Sequence, residues 1–347
     1  MRFLPPFRWR WLPRPRGIMT FPIGIALNEI KHEGVAGPQS WIWAALRADR
    51  AGLDFLTLGD QALAGVGQTA LDASLLAAAM GPLTQRIGLF ATAPVTQHEP
   101  FHVSTAIATL DYVSQGRAGV IPAVPAVAET AALYARTGET LYGVPQERAA
   151  IYHDAADAVE VVRRLWDSWE EDSIIRDAAT GRFIDRDKLH YVDYQGEHLF
   201  VRGPSIVPRP PQGQPPLAVV WREPADLDWA RAQADILFAP QWVNAAGVRL
   251  YADLAVAFET EPSAADADGA PVFRGSPAEL AEQARGLIAQ GYAGLRLHPR
   301  RLDTDLDRIN LEFLPLLRGA PAAGSGPLRA RLGLPPAINR YRATLEG

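Results

Sequence analysis

The chain has 347 residues, 48% of them hydrophobic and 21% charged, with a formal net charge of -5 and no cysteine. That composition supports a large buried core, and mild acidity without a basic stripe beyond the N-terminus argues against nucleic acid as the main partner. The missing cysteines exclude disulfides, thiolate metal sites and a cysteine nucleophile, which fits a cytoplasmic protein; no stretch approaches the roughly 20 apolar residues of a membrane span.

Residues 1–17, MRFLPPFRWRWLPRPRG, are rich in Arg, Trp and Pro and contain no acid. They read as a basic, disordered extension, with residues 18–347 forming a single domain. From Phe21 a regular alternation begins. FPIGIALN is a first strand, and PQSWIWAALRADRAG is a helix closed by Gly52. LDFLTLGD, the helix DASLLAAAMGPLTQ, the strand RIGLFATAPVT, the helix FHVSTAIATLDYVSQG and the strand RAGVIPAVPA follow. A long helix then carries Val159, Val162, Leu165, Trp166 and Trp169 on one face. After it comes a charged, Gly- and Pro-rich excursion without sustained periodicity. Segments of that length inside a domain are usually functional, so residues 170–216 are expected to be an insertion acting as a lid.

The alternation resumes with PLAVVW, ADLDWARAQ and ADILFAP, then a helix expected near Ala246 to Asp253. LAVAFET, SPAELAEQARGLIAQG, YAGLRLHP and DLDRINLEFLPLLRG complete eight strand and helix pairs. Eight such units, with strands apolar on both faces, predict a (β/α)8 TIM barrel with a long insertion before the fifth strand. A doubly wound open sheet is the structural rival. In a barrel the chemistry sits at the C-terminal ends of the strands, here around Asp60, Thr92, Trp221, Gln241, Glu259 and His298.

Several motifs have competing explanations. His98-Glu99-Pro100-Phe101-His102 matches the HExxH zinc pattern, but a proline between the histidines prevents a shared helical face. A helix beginning at Pro100, with Glu99 capping it, is the better reading, and no metal site is expected. Ser276, Pro277 and Glu279 spell a capping box, at which an anion could also sit. Tyr152 precedes the apolar stripe of the long helix and either faces the mouth or covers the barrel.

RIGLFATAPVTQHEPFHVSTAIATLDYVSQGRAG at 86–119, VEVVRRLWDSWEED, HYVDYQGEHLFVRGP, PPQGQPP and LRARLGLPPAINRY at 328–341 together resemble the bacterial luciferase-like flavin monooxygenases. The closer likeness is to the branch of nitrilotriacetate monooxygenase component A and dibenzothiophene sulfone monooxygenase. The resemblance implies a barrel holding reduced FMN from a separate flavin reductase, which oxidises a small organic substrate with molecular oxygen, in a homo-oligomer or beside a related subunit. It implies flavin contacts for Asp60, Thr92 and Tyr152. His102 is the candidate catalytic residue.

Three departures accompany it. Val120 and Ile121 stand where the family usually has Trp-Asn, and Arg148 stands where a His is usual. After the fifth strand, Trp221, Arg222, Glu223 and Asp226 replace the Ser- and Gly-rich turn that cradles the FMN phosphate. Two unit charges about 4 Å apart repel by roughly 4 kcal/mol at an effective dielectric of 20, so Glu223 and Asp226 oppose a phosphate there. Either Arg222 turns inward, or the phosphate moves to Ser276, or the chain is a flavin-deficient barrel serving as a non-catalytic partner subunit or a small-molecule binding protein.

Overall fold

The computed structural model describes residues 21–27, 37–59, 71–124, 148–258, 271–318 and 326–343. Eight parallel strands form its centre: β1 (Ile23–Leu27), β2 (Phe55–Leu58), β3 (Gly88–Pro94), β4 (Ala118–Ala123), β9 (Ala218–Val220), β10 (Ile236–Ala239), β11 (Arg249–Ala257) and β13 (Gly294–Pro299). They pair in chain order, and β13 returns to β1 through Ile23 opposite Leu295. A parallel bridge between Val120 and Leu217 brings β4 to the start of β9. The result is a nearly closed (β/α)8 barrel, as the alternation predicted. The open-sheet rival fails because both edges find partners.

Local chemistry sets the elements. Helix α1 (Pro38–Ala51) ends at Gly52, whose φ of 86° directs its N–H to the Ala48 and Asp49 carbonyls; an L side chain rarely adopts that conformation. Asp72 caps α2 (Ala73–Met80) by accepting from Leu75 N. Helix α3 (Pro100–Val113) begins at Pro100 as the sequence required, but the Glu99 side chain makes no capping bond. The Glu99 carbonyl, not its side chain, takes His102 N and Val103 N at 2.9 and 3.2 Å.

Inside the barrel, large rings face glycines. A Cβ at Gly24 would lie 2.3 Å from the Phe55 ring, one at Gly119 2.4 Å from Phe90, and one at Gly294 2.6 Å from Tyr251. Phe55, Phe90, Phe238 and Tyr251 fill the space so made, with ring centroids 5.7 to 6.5 Å apart. Leu328 and Leu332 of the C-terminal segment close this layer from below. The strand ends on the opposite side form the mouth.

Two expectations change. No helix occupies 246–253: Ala246 and Gly247 take φ values of 47° and 94°, which break a helix, and β11 already runs from Arg249. The sixth strand therefore connects to the seventh by a turn alone. A three-residue strand, β12 (Val272–Arg274), also pairs with β11.

The excursion after helix α4 (Arg148–Asp167) is ordered as two antiparallel hairpins, β5 (Ile174–Asp177) with β6 (Arg182–Ile184) and β7 (Tyr194–Gln195) with β8 (Phe200–Val201). Helix α4 runs from the mouth back to the N-terminal end of the barrel, so the excursion starts at the far face. Trp169 Nε1 donates to Ser205 O at 2.7 Å, and Gln212 Nε2 donates to Asp111 and Ala118 O at 2.6 and 2.8 Å. The second hairpin climbs the outer flank of α4, where Tyr194 donates to Asp157 at 2.6 Å and His198 meets Asp154 at 2.9 Å. These contacts run along the helix and under the barrel.

Candidate active site at the barrel mouth

Strand alternation decides which side chains reach the mouth. On β3, Phe90 faces inward, so Thr92 shares its face nearer the C-terminal end and is buried. On β13, Arg296 and His298 lie two residues apart on one face, and on β11 Asp253 stands opposite Arg296 in the register. These residues converge. Arg296 Nε and Nη2 donate to the two Asp253 carboxylate oxygens, each at 2.7 Å, and His298 Nε2 lies 2.6 Å from Asp253 Oδ1. Arg222, from the turn after β9, donates to Asp253 as well. The Arg296 guanidinium stacks 4.2 Å over the Phe238 ring and approaches Thr57 Oγ1 at 3.4 Å.

The cluster forms the polar floor of the mouth, directly above the aromatic layer. Burial opposes the charge on Asp253, but the Arg296 guanidinium, His298 and their hydrogen bonds hold its carboxyl well below the usual carboxylate range. A bidentate Arg–carboxylate pair with both partners buried is rigid as well as strong.

The expected site residues separate into groups. Arg222 does turn inward, yet its guanidinium is engaged by Asp253 and by the Trp221 carbonyl at 3.0 Å. Tyr152 points at the turn after β9: its hydroxyl donates to Asp226 Oδ2 at 2.6 Å, and its ring packs edge-on to Trp229 with centroids 5.1 Å apart. Ser276 closes its own capping box. Its N–H and hydroxyl reach Glu279 Oε2 at 2.7 and 2.8 Å, and Glu279 N donates back. His102 is exposed on α3 beside Phe101. Arg148 opens α4, but its side chain lies outside the described residues, as does Asp60. Among the described residues no cluster of metal-binding side chains occurs, and no helix is long and apolar enough to cross a membrane.

An FMN phosphate would need N–H donors and compensating charge. The turn after β9 begins at Pro224, which has no N–H, and leads into α5 (Leu227–Gln233), a helix of 7 residues. The Asp226 N–H is used by Glu223 O at 3.0 Å. Asp226 presents a carboxylate to Tyr152, and Arg222 is paired. The residues present at this turn do not fit a phosphate dianion.

Asp253 and Arg296 were not among the sequence candidates. Asp253 fell in a stretch read as helix, and Arg296 in a strand read as wholly apolar. A signal existed: Arg296 and His298 alternate with Leu295 and Leu297, which places two polar groups on one strand face.

Similarity to known proteins points the same way as the fold. The luciferase-like monooxygenase family model matches residues 25–318. N-acetyl-S-(2-succino)cysteine monooxygenase of Bacillus subtilis (strain 168) is 37% identical over 202 residues, 57% of this chain and 44% of that protein. Nitrilotriacetate monooxygenase component A of Aminobacter aminovorans is 33% identical over 224 residues, 60% of this chain and 48% of that one. A pristinamycin IIA synthase subunit of Streptomyces pristinaespiralis is 35% identical over 233 residues, covering 67% of this chain and 73% of its own. The chain thus spans less than half the length of the first two. EDTA monooxygenase from Chelativorans sp. BNC1 superposes with a TM-score of 0.76 over 91% of this chain and 98% of its own, at 19% identity, which speaks to fold alone. With the model covering most of the barrel, the chain belongs to the luciferase-like monooxygenase family.

Proposed function

We propose that the chain is the oxygenating barrel of a reduced-flavin monooxygenase that oxidises a small organic substrate with molecular oxygen. The family match across the barrel carries this reading. The mouth is in keeping with it: a pre-paired polar cluster around the buried Asp253 and Arg296 lies over an aromatic layer. In such enzymes the cofactor supplies the oxidation, while the protein supplies binding, orientation and a dry pocket. Thr92 and Asp60, from neighbouring strand-and-loop units, are the candidates for contacting the flavin ring. A flavin reductase is the expected partner, and an assembly of like or related subunits in the cytoplasm the expected setting.

A second reading, a non-catalytic partner subunit, draws on the turn after β9, where Asp226 and the paired Arg222 oppose a phosphate. The pristinamycin IIA synthase relative, by name one part of an assembly, is in keeping with it.

One assay separates the two. The purified chain is supplied with flavin, a reductase, a nicotinamide donor and isotopically labelled oxygen, against a panel of small sulfides, sulfones and amines. Labelled oxygen in a product at rates above the reductase alone is expected. If no substrate gains label while a related polypeptide added to the mixture restores turnover, the partner reading replaces the enzyme reading.

A further inference from the structure

We infer that the mouth selects against phosphorylated ligands, so that the flavin it takes is the unphosphorylated, riboflavin-type molecule. The inference rests on the reduced-flavin reading above and names the form of flavin that site accepts.

Helices that follow barrel strands begin at the mouth, and their N-termini are where barrels grip phosphate. At three of these positions the chain's own carboxylates take the amides, and α1, which opens at Gly37 and Pro38 without an acid, has no donor at its first residue. Asp72 Oδ1 takes Leu75 N at the start of α2 at 2.8 Å. Glu99 and Pro100 open α3. Glu279 takes the Ser276 N–H and hydroxyl at the start of α6 (Pro277–Ala289). Asp305 takes Arg301 N at 2.8 Å at the start of α7 (Leu302–Arg308). After the fifth barrel strand the helix is short, Pro224 lacks a donor, and Asp226 carries the charge. Helix α4, whose first turn has no acid, meets that same Asp226 through Tyr152, four residues beyond its first residue Arg148.

The one inward-turned cation of this turn, Arg222, is already paired with Asp253, which also holds Arg296 and His298. Recruiting Arg222 to a phosphate would withdraw one partner from a buried carboxylate. A ribityl hydroxyl makes no such demand. It can donate to Asp226 or to the Tyr152 hydroxyl oxygen without adding charge, whereas a phosphate dianion beside Asp226 is repelled in a partly buried site.

The test needs no product. Riboflavin and FMN are titrated separately into the full chain, following quenching of flavin fluorescence, at low and high NaCl. Riboflavin should bind at least about tenfold more tightly than FMN at low salt, a difference of about 1.4 kcal/mol. The gap should narrow severalfold near 1 M NaCl, where the screening length falls to about 3 Å. Asp226→Asn, which leaves an acceptor for the Tyr152 hydroxyl, should tighten FMN about tenfold and leave riboflavin within about twofold. FMN binding as tightly as riboflavin in the unaltered chain overturns the inference and leaves the flavin reading standing. A gap that neither salt nor Asp226→Asn narrows overturns it too, because charge is then not its cause. Binding of neither flavin overturns both readings.

Discussion

Replacing Asp253 with Ala removes the acceptor of Arg222, Arg296 and His298 in one step. Arg296 is 2% exposed and Asp253 1%. Removing one member of a buried pair strands the other charge, which costs about 3–5 kcal/mol. An exposed pair such as Arg285 with Glu282 contributes about 0–1 kcal/mol and serves as the control. The Phe238 face under Arg296 softens the loss without replacing the carboxylate. Urea unfolding followed by tryptophan fluorescence reads the difference. The double replacement Asp253→Leu with Arg296→Met should recover part of it, because an apolar substitute for a buried pair is often neutral, while Arg222 and His298 still lose this acceptor. A loss below about 1 kcal/mol in Asp253→Ala, or a double variant less stable than the summed singles, refutes the claim that this pair organises the floor.

Three further outcomes are expected. Arg117 is buried and its guanidinium donates to Ser114 O, Thr84 Oγ1, Ile87 O, Gly81 O and Thr84 O at 2.7 to 2.9 Å; Arg117→Lys leaves several of these acceptors unmet at about 1–3 kcal/mol each, which a lowered urea midpoint should report. Gly119→Ala brings a Cβ to 2.4 Å from the Phe90 ring, an overpacking cost of about 1–3 kcal/mol, while Gly286→Ala, with open space around its Cβ, should be neutral or stabilising by differential scanning calorimetry. Burial pushes the Asp111 carboxyl up from 3.8 to about 6, against hydrogen bonds from Gln212 and Ala118 that lower it. The folded state therefore holds this proton more tightly than the unfolded chain, so the group's contribution is full at acid pH and is lost as pH rises from about 4 through 6, by at most roughly 3 kcal/mol. Unfolding at pH 4 and 8 should show that fall in the unaltered chain and not in Asp111→Asn.

The barrel was legible because its strands are apolar on both faces and its helices carry ordinary stops, such as Gly52 and the Ser276 box. What failed did so for physical reasons. The stretch from Ala246 reads as helical through Ala246, Arg249, Leu250 and Ala252, but the positive φ values at Ala246 and Gly247 leave no helix there. Periodicity gives the inward face of a strand but not its neighbour, so Asp253 and Arg296 could be paired only once β11 and β13 were adjacent. The hydrogen bond between Tyr152 and Asp226 joins residues 74 positions apart. Nothing local in the sequence announces it.

The position of the excursion alters what the family resemblance signifies. Of the stretches that carry the likeness, 86–119 crosses the mouth at Thr92, while those of the excursion and of 328–341 meet beneath the barrel. Asn339 Nδ2 donates to the carbonyls of Asp167 and Trp169 at 2.8 and 3.0 Å, the Tyr341 ring stacks on His190 at 4.8 Å, and Arg329 binds Gln214 O and Asp235. Arg209 pairs with Asp167, and Arg340 with Glu160 at 2.7 Å. Together these contacts clamp the C-terminal half of α4, whose other end delivers Tyr152 to the mouth. The N-terminal face of such barrels supports stability and the opposite face chemistry, so the part of the likeness that lies below secures the fold and does not name the ligand. The departures at Glu223, Asp226 and Arg222 all lie above. A change that loosens this clamp, such as Arg209→Ala, should therefore reach the ligand as a displaced Tyr152, read as weaker flavin binding.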